Sequence, residues 1–146
     1  MPGTRDDGSV DAQVLLKWTE QTRALGRDLG RLSSTDHCIG ELFAKSPTGK
    51  DGIWPCEELR QVLDAAGSEE IARGFSLGRY NLRGAHWRAK GGQQERELAA
   101  QYRGWAKAVS FQWPFTAKCL EQLAQTYDRE ASWHDTDENV QKRLSY

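Results

Sequence analysis

The residues best suited to chemistry in this sequence are basic and aromatic side chains that alternate in its second half. Residues 73–107 hold eight basic and two acidic residues, a net charge of +6, within a 146-residue chain whose net charge is -1. Guanidinium and ammonium groups neutralise phosphates and release counterions, and exposed rings stack on unpaired bases. This pattern predicts a surface that binds a nucleic-acid backbone, RNA or single-stranded DNA, independently of base sequence.

Seven residues are the predicted contacts on this surface. Trp87 is the ring expected to stack or wedge. The candidates for phosphate binding are Arg79, Arg83, Arg88, Lys90, Arg96 and Arg103. Trp87 lies in a predicted loop without periodic partners, so it is a better candidate for an exposed contact than Tyr102 or Trp105. The alternative is that these two rings belong to the core and that the arginines pair with the acidic segment 46–72 or with nearby glutamates such as Glu95.

A second candidate is an anion-binding turn. Lys90-Gly91-Gly92 precedes a predicted helix, and glycine lets backbone N–H groups turn toward an anion at a helix N-terminus. The spacing of a phosphate-binding loop is absent, and Glu95 and Glu97 already complement the helix dipole. A plain glycine-rich turn is therefore the favoured interpretation.

The remaining titratable residues give weaker signals. Glu130 and His134 are four residues apart and share a predicted helix face, close to Asp135, Asp137 and Glu138. A metal site needs three or four converging ligands, and nothing in the sequence places another imidazole beside them. This pattern indicates a solvated acidic helix end, and we expect no metal site.

The cysteines also argue against catalysis. The sequence has three cysteines, Cys38, Cys56 and Cys119, which lie far apart and form no CxxC pair. An odd number of separated cysteines is typical of reduced thiols in a cytoplasmic protein. No local signature joins one of them to a histidine as a nucleophile. We therefore expect a protein that is not an enzyme and that needs no cofactor.

The elements that position these residues are predicted from apolar periodicity. Steps of three and four residues recur along the chain and strand-like alternation is absent, which predicts an all-α fold of about six helices. We expect a compact helical bundle whose last two helices form an antiparallel pair. Residues 1–8 are predicted as a flexible arm, 9–135 as a single helical domain, and 136–146 as a helix extension or frayed tail.

The sequence also predicts details of the first, fourth and sixth helices. Ser9 is the predicted N-cap of the first helix, which runs to about Leu29. Gly74 and Gly78, four residues apart in the fourth helix, predict close backbone packing or a kink. The residues predicted to share one face of the first helix are Val14, Leu15, Trp18, Thr22, Leu25 and Leu29. The residues predicted to face inward on the sixth helix, which starts near Pro114, are Cys119, Leu120, Leu123, Ala124, Tyr127 and Ala131.

The chain also resembles a group of proteins in the pattern of its C-terminal part. The pattern comprises Gly78-Arg79-Tyr80-Asn81, Gly91-Gly92-Gln93-Gln94-Glu95-Arg96, Tyr102-Arg103-Gly104-Trp105-Ala106 and Trp113-Pro114. It resembles uncharacterised small helical bacterial proteins over about residues 52–135, and it carries over no catalytic residue. The resemblance implies a bacterial, cytoplasmic setting in a mobile-element or antiviral defence locus. In size, helicity and basic face, the chain is also similar to the small helical subunits of CRISPR effector complexes, a likeness of general character only.

Two functions remain open at this point. The first is a non-enzymatic helical subunit that holds a nucleic-acid backbone within a larger complex of other protein subunits. The second is a protein–protein adaptor or inhibitor without nucleic-acid contact, whose basic block meets an acidic partner surface or the acidic 46–72 segment of a second copy. No run of apolar residues approaches the length of a membrane span, so we expect no membrane association.

Overall fold

The computed structural model describes residues 1–83 and 92–144, apart from the side chain of Glu138. The six helices are α1 (Ala12–Asp28), α2 (Leu32–Phe43), α3 (Glu57–Ala66), α4 (Glu69–Arg83), α5 (Gln93–Val109) and α6 (Pro114–Leu144). Within these two ranges there is no strand, only an isolated β-bridge between Thr4 and Val10. The all-α prediction with six helices is confirmed.

The start of α1 differs from the sequence prediction. Asp11, not Ser9, caps the helix, because its Oδ1 accepts hydrogen bonds from the backbone N–H groups of Gln13 and Val14 at 3.0 and 3.1 Å. Ser9 instead donates its hydroxyl to Asp7 at 2.6 Å. The side chain of an N-cap residue accepts hydrogen bonds from amide groups that have no partner within the helix. Serine and aspartate can both do this, and the local turn decides which of them occupies the N-cap.

Residues 1–8, predicted as a flexible arm, fold back on α1. The backbone N–H of Asp11 donates to the Gly3 carbonyl at 2.8 Å, and that of Arg5 donates to the Ser9 carbonyl at 2.8 Å. Met1 packs against the hydrophobic core. Gly3 has a φ of +82°, and a Cβ there would lie 2.9 Å from the Asp11 carbonyl oxygen, so this turn needs glycine.

α5 and α6 form the predicted antiparallel pair, and the inward face of α6 agrees with its periodicity. All six residues predicted to face inward are buried, from Cys119 to Ala131. They meet an aromatic cluster in which Tyr102 of α5 stacks on Tyr127 of α6, with ring centroids 5.7 Å apart. Tyr102 also meets Trp54 edge-on at 6.1 Å, and Trp54 stacks on Phe75 at 4.9 Å. These aromatic contacts join the hairpin to the rest of the bundle.

α2 and α4 cross in close contact through glycines. A Cβ at Gly74 would lie 2.0 Å from the carbonyl oxygen of His37, and one at Gly40 would lie 2.1 Å from that of Ile71. Gly78 lies in the same contact, where a Cβ would be 3.0 Å from the Glu41 Cα. The predicted close packing of Gly74 and Gly78 is therefore confirmed, and the two backbones touch without intervening side chains.

Candidate interaction surfaces

The outer face of α5 carries two of the predicted phosphate contacts, and both are paired with acids of α6. Arg96 and Arg103 are seven residues apart, two helical turns, so they share one face. Arg96 donates to Asp135 at 2.5 Å, and Arg103 donates to Glu121 at 3.0 Å and to Asp128 at 2.8 Å. Hydrogen bonds to Glu121 and then to Asp128 raise the pKa of Arg103. The two arginines are therefore neutralised along the hairpin.

Two further predicted contacts, on α4, turn toward the protein interior. Arg79 donates from Nε to the Tyr102 hydroxyl at 2.8 Å, and its guanidinium lies 4.1 Å from the Trp54 ring centroid. Arg83, whose side chain is 16% exposed, donates to Glu95 at 3.2 Å and lies 5.5 Å from the Tyr127 ring centroid. Stacked or paired in this way, the two side chains stabilise the aromatic cluster rather than face solvent.

The four described arginines among the predicted contacts therefore do not form a surface of unpartnered cations. All four have partners within the chain, and the two on α4 are half-buried. Tyr102 is buried and Trp105 is half-buried against the core, as the alternative interpretation of these two rings predicted. Trp87, Arg88 and Lys90 lie outside the described residues, as do His86 and Gly91.

The predicted anion-binding turn meets a carboxylate of its own chain. The backbone N–H of Gly92, just before α5, donates to Asp135 Oδ1 at 2.9 Å. This hydrogen bond, and then the Arg96 guanidinium, lowers the pKa of Asp135. A helix N-terminus favours negative charge, and here α6 supplies it.

A small acidic and imidazole cluster joins α5 to α6. Ligand-type atoms of Glu95, Glu130 and His134 all lie within 4.8 Å of one another, the one such group in the part of the chain that the structure describes. Two carboxylates and an imidazole are a donor set that zinc accepts. However, Arg83 already donates to Glu95, and the Tyr80 hydroxyl donates to Glu130 at 3.1 Å. The cluster is thus built into the protein's own network of hydrogen bonds.

The sequence did not predict this cluster, because the position of Glu95 indicates an interaction with the dipole of α5 and the Glu130–His134 pair indicates a solvated helix end. Glu95 is fully buried, while Glu130 and His134 are 15% and 20% exposed. A signal was present: Glu130 and His134 flank Ala131, the last residue of the apolar stripe of α6. Polar residues beside such a stripe reach the interior where the facing helix offers a partner.

Two of the three thiols are held in the core. Burial raises the pKa of Cys119 to about 12, and burial also raises that of Cys56. Cys38 is exposed on α2. Because the thiolate is the nucleophile, Cys56 and Cys119 are unsuited to nucleophilic chemistry where they lie.

Asp51, in the loop before α3, has a structural role. Asp51 accepts two hydrogen bonds from Arg60, at 2.8 and 3.0 Å, and Arg60 is 1% exposed. Arg60 also donates to the carbonyl oxygens of Pro55 and Ile53, each at 2.8 Å. The Arg60 hydrogen bond holds the pKa of Asp51 at about 2. The pair anchors the loop before α3.

Large apolar side chains are exposed on α1, α4 and α6 and at Phe111. Val14 and Leu25 of α1 and its C-cap Leu29 are 50%, 65% and 73% exposed, although the sequence predicted them on one face with Leu15, which is buried. The buried residues of α1 are Leu15, Thr19 and Gly26. On α6, the uncovered residues are Trp133, Val140 and Leu144. Such side chains, when they line up, are typical of protein interaction sites.

Comparisons of the chain with protein-family models, with curated proteins and with solved structures find no match. Among the described residues, no helix combines the length and the apolar character that crossing a bilayer requires.

Proposed function

We propose that this chain is a protein-interaction subunit without chemistry of its own, an adaptor or inhibitor that docks a partner protein against α1. The observation that carries the proposal is the exposed apolar stripe of Val14, Leu25 and Leu29. Val14 and Leu25 are eleven residues apart, so at 100° per residue they lie within about 20° of one another around the helix, and Leu29 follows as its C-cap.

The stripe has enough apolar surface to contribute to binding. Full burial of a leucine contributes about 1.5–3 kcal/mol, and Leu25 and Leu29 retain most of their exposure. Covering both side chains would contribute about 3 kcal/mol. Since association itself costs several kcal/mol, the partner must make further contacts around the stripe.

Charge at the edge of the stripe indicates what those contacts are. Lys17 lies one turn from Val14, and Arg31 follows Leu29 at the start of α2. Both are exposed, and neither has an ion-pair partner among the described residues. We therefore expect the partner to be a protein surface with an apolar centre and acidic residues at its rim.

Binding to a nucleic-acid backbone has less support in the described residues. Its premise was a set of free arginines, and Arg79, Arg83, Arg96 and Arg103 all have partners within the chain. Nucleic-acid binding stays a prediction, because Trp87, Arg88 and Lys90 lie outside the described residues. The same experiment tests it.

The test is capture of partners from a nuclease-treated extract of the encoding organism, followed by reconstitution with the purified partner. The stripe variant is Leu25→Lys with Leu29→Lys. The matched control is Leu77→Lys, a leucine on α4 that is 45% exposed. We expect the stripe variant to weaken binding of the purified partner by at least about tenfold and the control to leave it unchanged.

Two results would overturn the proposal. One is equal affinity of the stripe variant and the control for every captured protein. The other is copurification of nucleic acid alone from a parallel extract prepared without nuclease, seen as a high ratio of absorbance at 260 nm to that at 280 nm that falls after a high-salt wash.

A further inference from the structure

The C-terminal end of α6 projects beyond the helix with which it is paired. The start of α5 lies beside Ala131, where a Cβ on Gly92 would be 2.4 Å from the Ala131 Cα. Past Asp135, every described side chain from Thr136 to Leu144 is exposed. These nine residues extend the helix by about 13 Å, at a rise of about 1.5 Å per residue.

Apolar side chains line one face of this projection. Trp133, Val140 and Leu144 are 63%, 46% and 82% exposed. They are separated by seven and four residues, the spacing of a coiled-coil seam, so they lie within about 40° of one another around the helix. In the part of the chain that the structure describes, no other helix buries these three side chains.

Charged residues are arranged symmetrically about the middle of this seam. Asp137 lies three residues before Val140, and Arg143 lies three residues after it. Asp137 accepts a hydrogen bond from Gln141 at 3.2 Å, and Arg143 has no ion-pair partner among the described residues. Reversing the direction of the segment about Val140 therefore exchanges the acidic and the basic position.

We propose that the projecting segment, residues 133–144, pairs antiparallel with the same segment of a second copy, about a two-fold axis at Val140. In this arrangement Asp137 of each copy faces Arg143 of the other, so two identical ion pairs form. A parallel pairing would instead place Asp137 against Asp137. Self-complementarity of this kind is what a symmetric, isologous interface requires, and it distinguishes a second copy from other occupants.

The apolar residues fit the same register. In antiparallel packing about Val140, Leu144 of one copy enters the space between four residues of the other. Those residues, spaced as the hole of a knobs-into-holes contact, are Trp133, Thr136, Asp137 and Val140. Charge and apolar contacts thus select one alignment.

This interface is short, so the association is weak. Two segments of this length bury less than about 1,000 Å² in total, the size class of transient contacts. The inference does not depend on docking at α1, because the two surfaces lie on different helices and bind different partners.

The test is sedimentation velocity of the full chain from about 5 µM to about 500 µM, a range that brackets weak association. We expect the weight-average sedimentation coefficient to rise with concentration toward that of a dimer. Asp137→Arg and Arg143→Asp, each of which places two pairs of like charges in contact, should each weaken dimerisation by about tenfold or more.

Charge exchange provides the decisive control. The double variant, with Asp137→Arg and Arg143→Asp in one chain, should restore dimerisation, and an equimolar mixture of the two single variants should form heterodimers. The Leu25→Lys and Leu29→Lys variant should dimerise like the unmodified chain, which separates this inference from the function proposed for α1. A monomer throughout the concentration range overturns the inference, as does a double variant no better than the single variants.

Discussion

Arg96 and Asp135 join the two ends of the α5–α6 hairpin, with Arg96 Nη1 2.5 Å from Asp135 Oδ2. The other oxygen of the same carboxylate accepts the Gly92 backbone N–H at 2.9 Å. Asp135 therefore binds both a side chain of α5 and the N-terminus of that helix. One residue of α6 thus caps α5 and fixes how far the two helices overlap.

The same relationship repeats along the hairpin. Arg103, seven residues after Arg96, meets Asp128, seven residues before Asp135, and Glu121 lies seven residues earlier again. Cations at heptad spacing on α5 thus face acids at heptad spacing on α6. This pairing favours one register of the two helices, since a shift by one residue would separate the charges.

The first prediction concerns Asp135. Asp135→Ala removes the ion pair and the acceptor for Gly92, so we expect the urea midpoint of unfolding to fall by about 0.5 M. Asp137→Ala is the matched control, with the same change of helix propensity on the same helix, and should shift the midpoint much less. Measured at low micromolar concentration, equal midpoints for both variants would contradict this account.

The stabilising effect of Asp135 should also depend on pH. The Gly92 N–H and the Arg96 guanidinium lower the pKa of this carboxyl in the folded state. A lowered carboxyl pKa stabilises the folded state above the pKa of the unfolded chain, about 3.9, and the effect is lost as the pH falls through the folded value. The difference between Asp135→Ala and the unmodified chain should therefore be full at pH 7 and shrink below about pH 4.

The second prediction concerns the ion pair of Asp51 with the buried Arg60. Asp51→Asn leaves a guanidinium that is 1% exposed without its counter-charge. Removing one partner of a buried pair costs about 3–5 kcal/mol, and because Asp51 is itself 45% exposed we expect about 2 kcal/mol by urea denaturation. Asp6→Asn, an exposed acid near the N-terminus, should change the free energy of unfolding by less than about 0.5 kcal/mol.

The stabilisation that Asp51 provides should be lost at a lower pH than is usual for a carboxylate. With a folded pKa of about 2 for Asp51, the stabilisation is full above the unfolded value and is lost between about pH 4 and pH 2. A difference between the Asp51→Asn variant and the unmodified chain that vanished already at pH 5 would contradict the pairing.

The sequence predicted the helices and the inward face of α6 but not the orientation of α1. Its apolar periodicity placed Leu25 and Leu29 on one face with Leu15. Gly26 changes this, because a Cβ there would lie 2.5 Å from Thr35 Oγ1 of α2. α2 therefore packs on the smallest residue of α1, and the leucines beside it point away. Periodicity identifies an apolar stripe, whereas the closest approach of a neighbouring helix decides which side of it is covered.

The ion-pair partners of the arginines could not be predicted from the sequence, for a related reason. Counting charge along residues 73–107 gives +6, but acids that neutralise Arg96 and Arg103 lie more than 15 residues further along the chain. The heptad spacing of Glu121, Asp128 and Asp135 is visible in the sequence. It becomes a prediction of pairing only when the register of the antiparallel hairpin is known, and that register depends on contacts such as Gly92 with Ala131.

The third prediction concerns nucleic acid. With Arg83, Arg96 and Arg103 in ion pairs and Arg79 held against the aromatic cluster, the chain should bind a fluorescent single-stranded RNA or DNA with a dissociation constant weaker than about 100 µM at physiological salt, beyond the usual non-specific range. The combined charge-removal variant Arg83→Gln, Arg88→Gln and Lys90→Gln should behave like the unmodified chain in fluorescence anisotropy. Micromolar binding by the unmodified chain that this variant loses would instead support a nucleic-acid surface.

The fourth prediction concerns the thiols. Cys38 is exposed, whereas burial raises the pKa of Cys56 and Cys119. We expect Ellman's reagent to titrate one thiol rapidly in the native protein and all three in denaturant, because the thiolate is the reacting species. Cys38→Ser should abolish the rapid phase. A native chain of that variant with a fast-reacting thiol would show that the core around the other two opens readily.

The last prediction concerns the contact between α2 and α4, which supports α4 and its inward-facing arginines. Gly74→Ala would bring a methyl group to 2.0 Å from the His37 carbonyl oxygen, a backbone atom in a helix that cannot yield locally. The two helices must separate, so we expect a loss of at least about 2 kcal/mol in the free energy of unfolding.

Gly104→Ala on α5 is the matched control, because nothing lies within 4 Å of its Cβ position. That change should stabilise the protein by about 0.5–1 kcal/mol through helix propensity alone. Opposite signs for the same substitution would establish that backbone contact, not glycine flexibility, is what Gly74 provides, and a neutral or stabilising Gly74→Ala would exclude the close crossing.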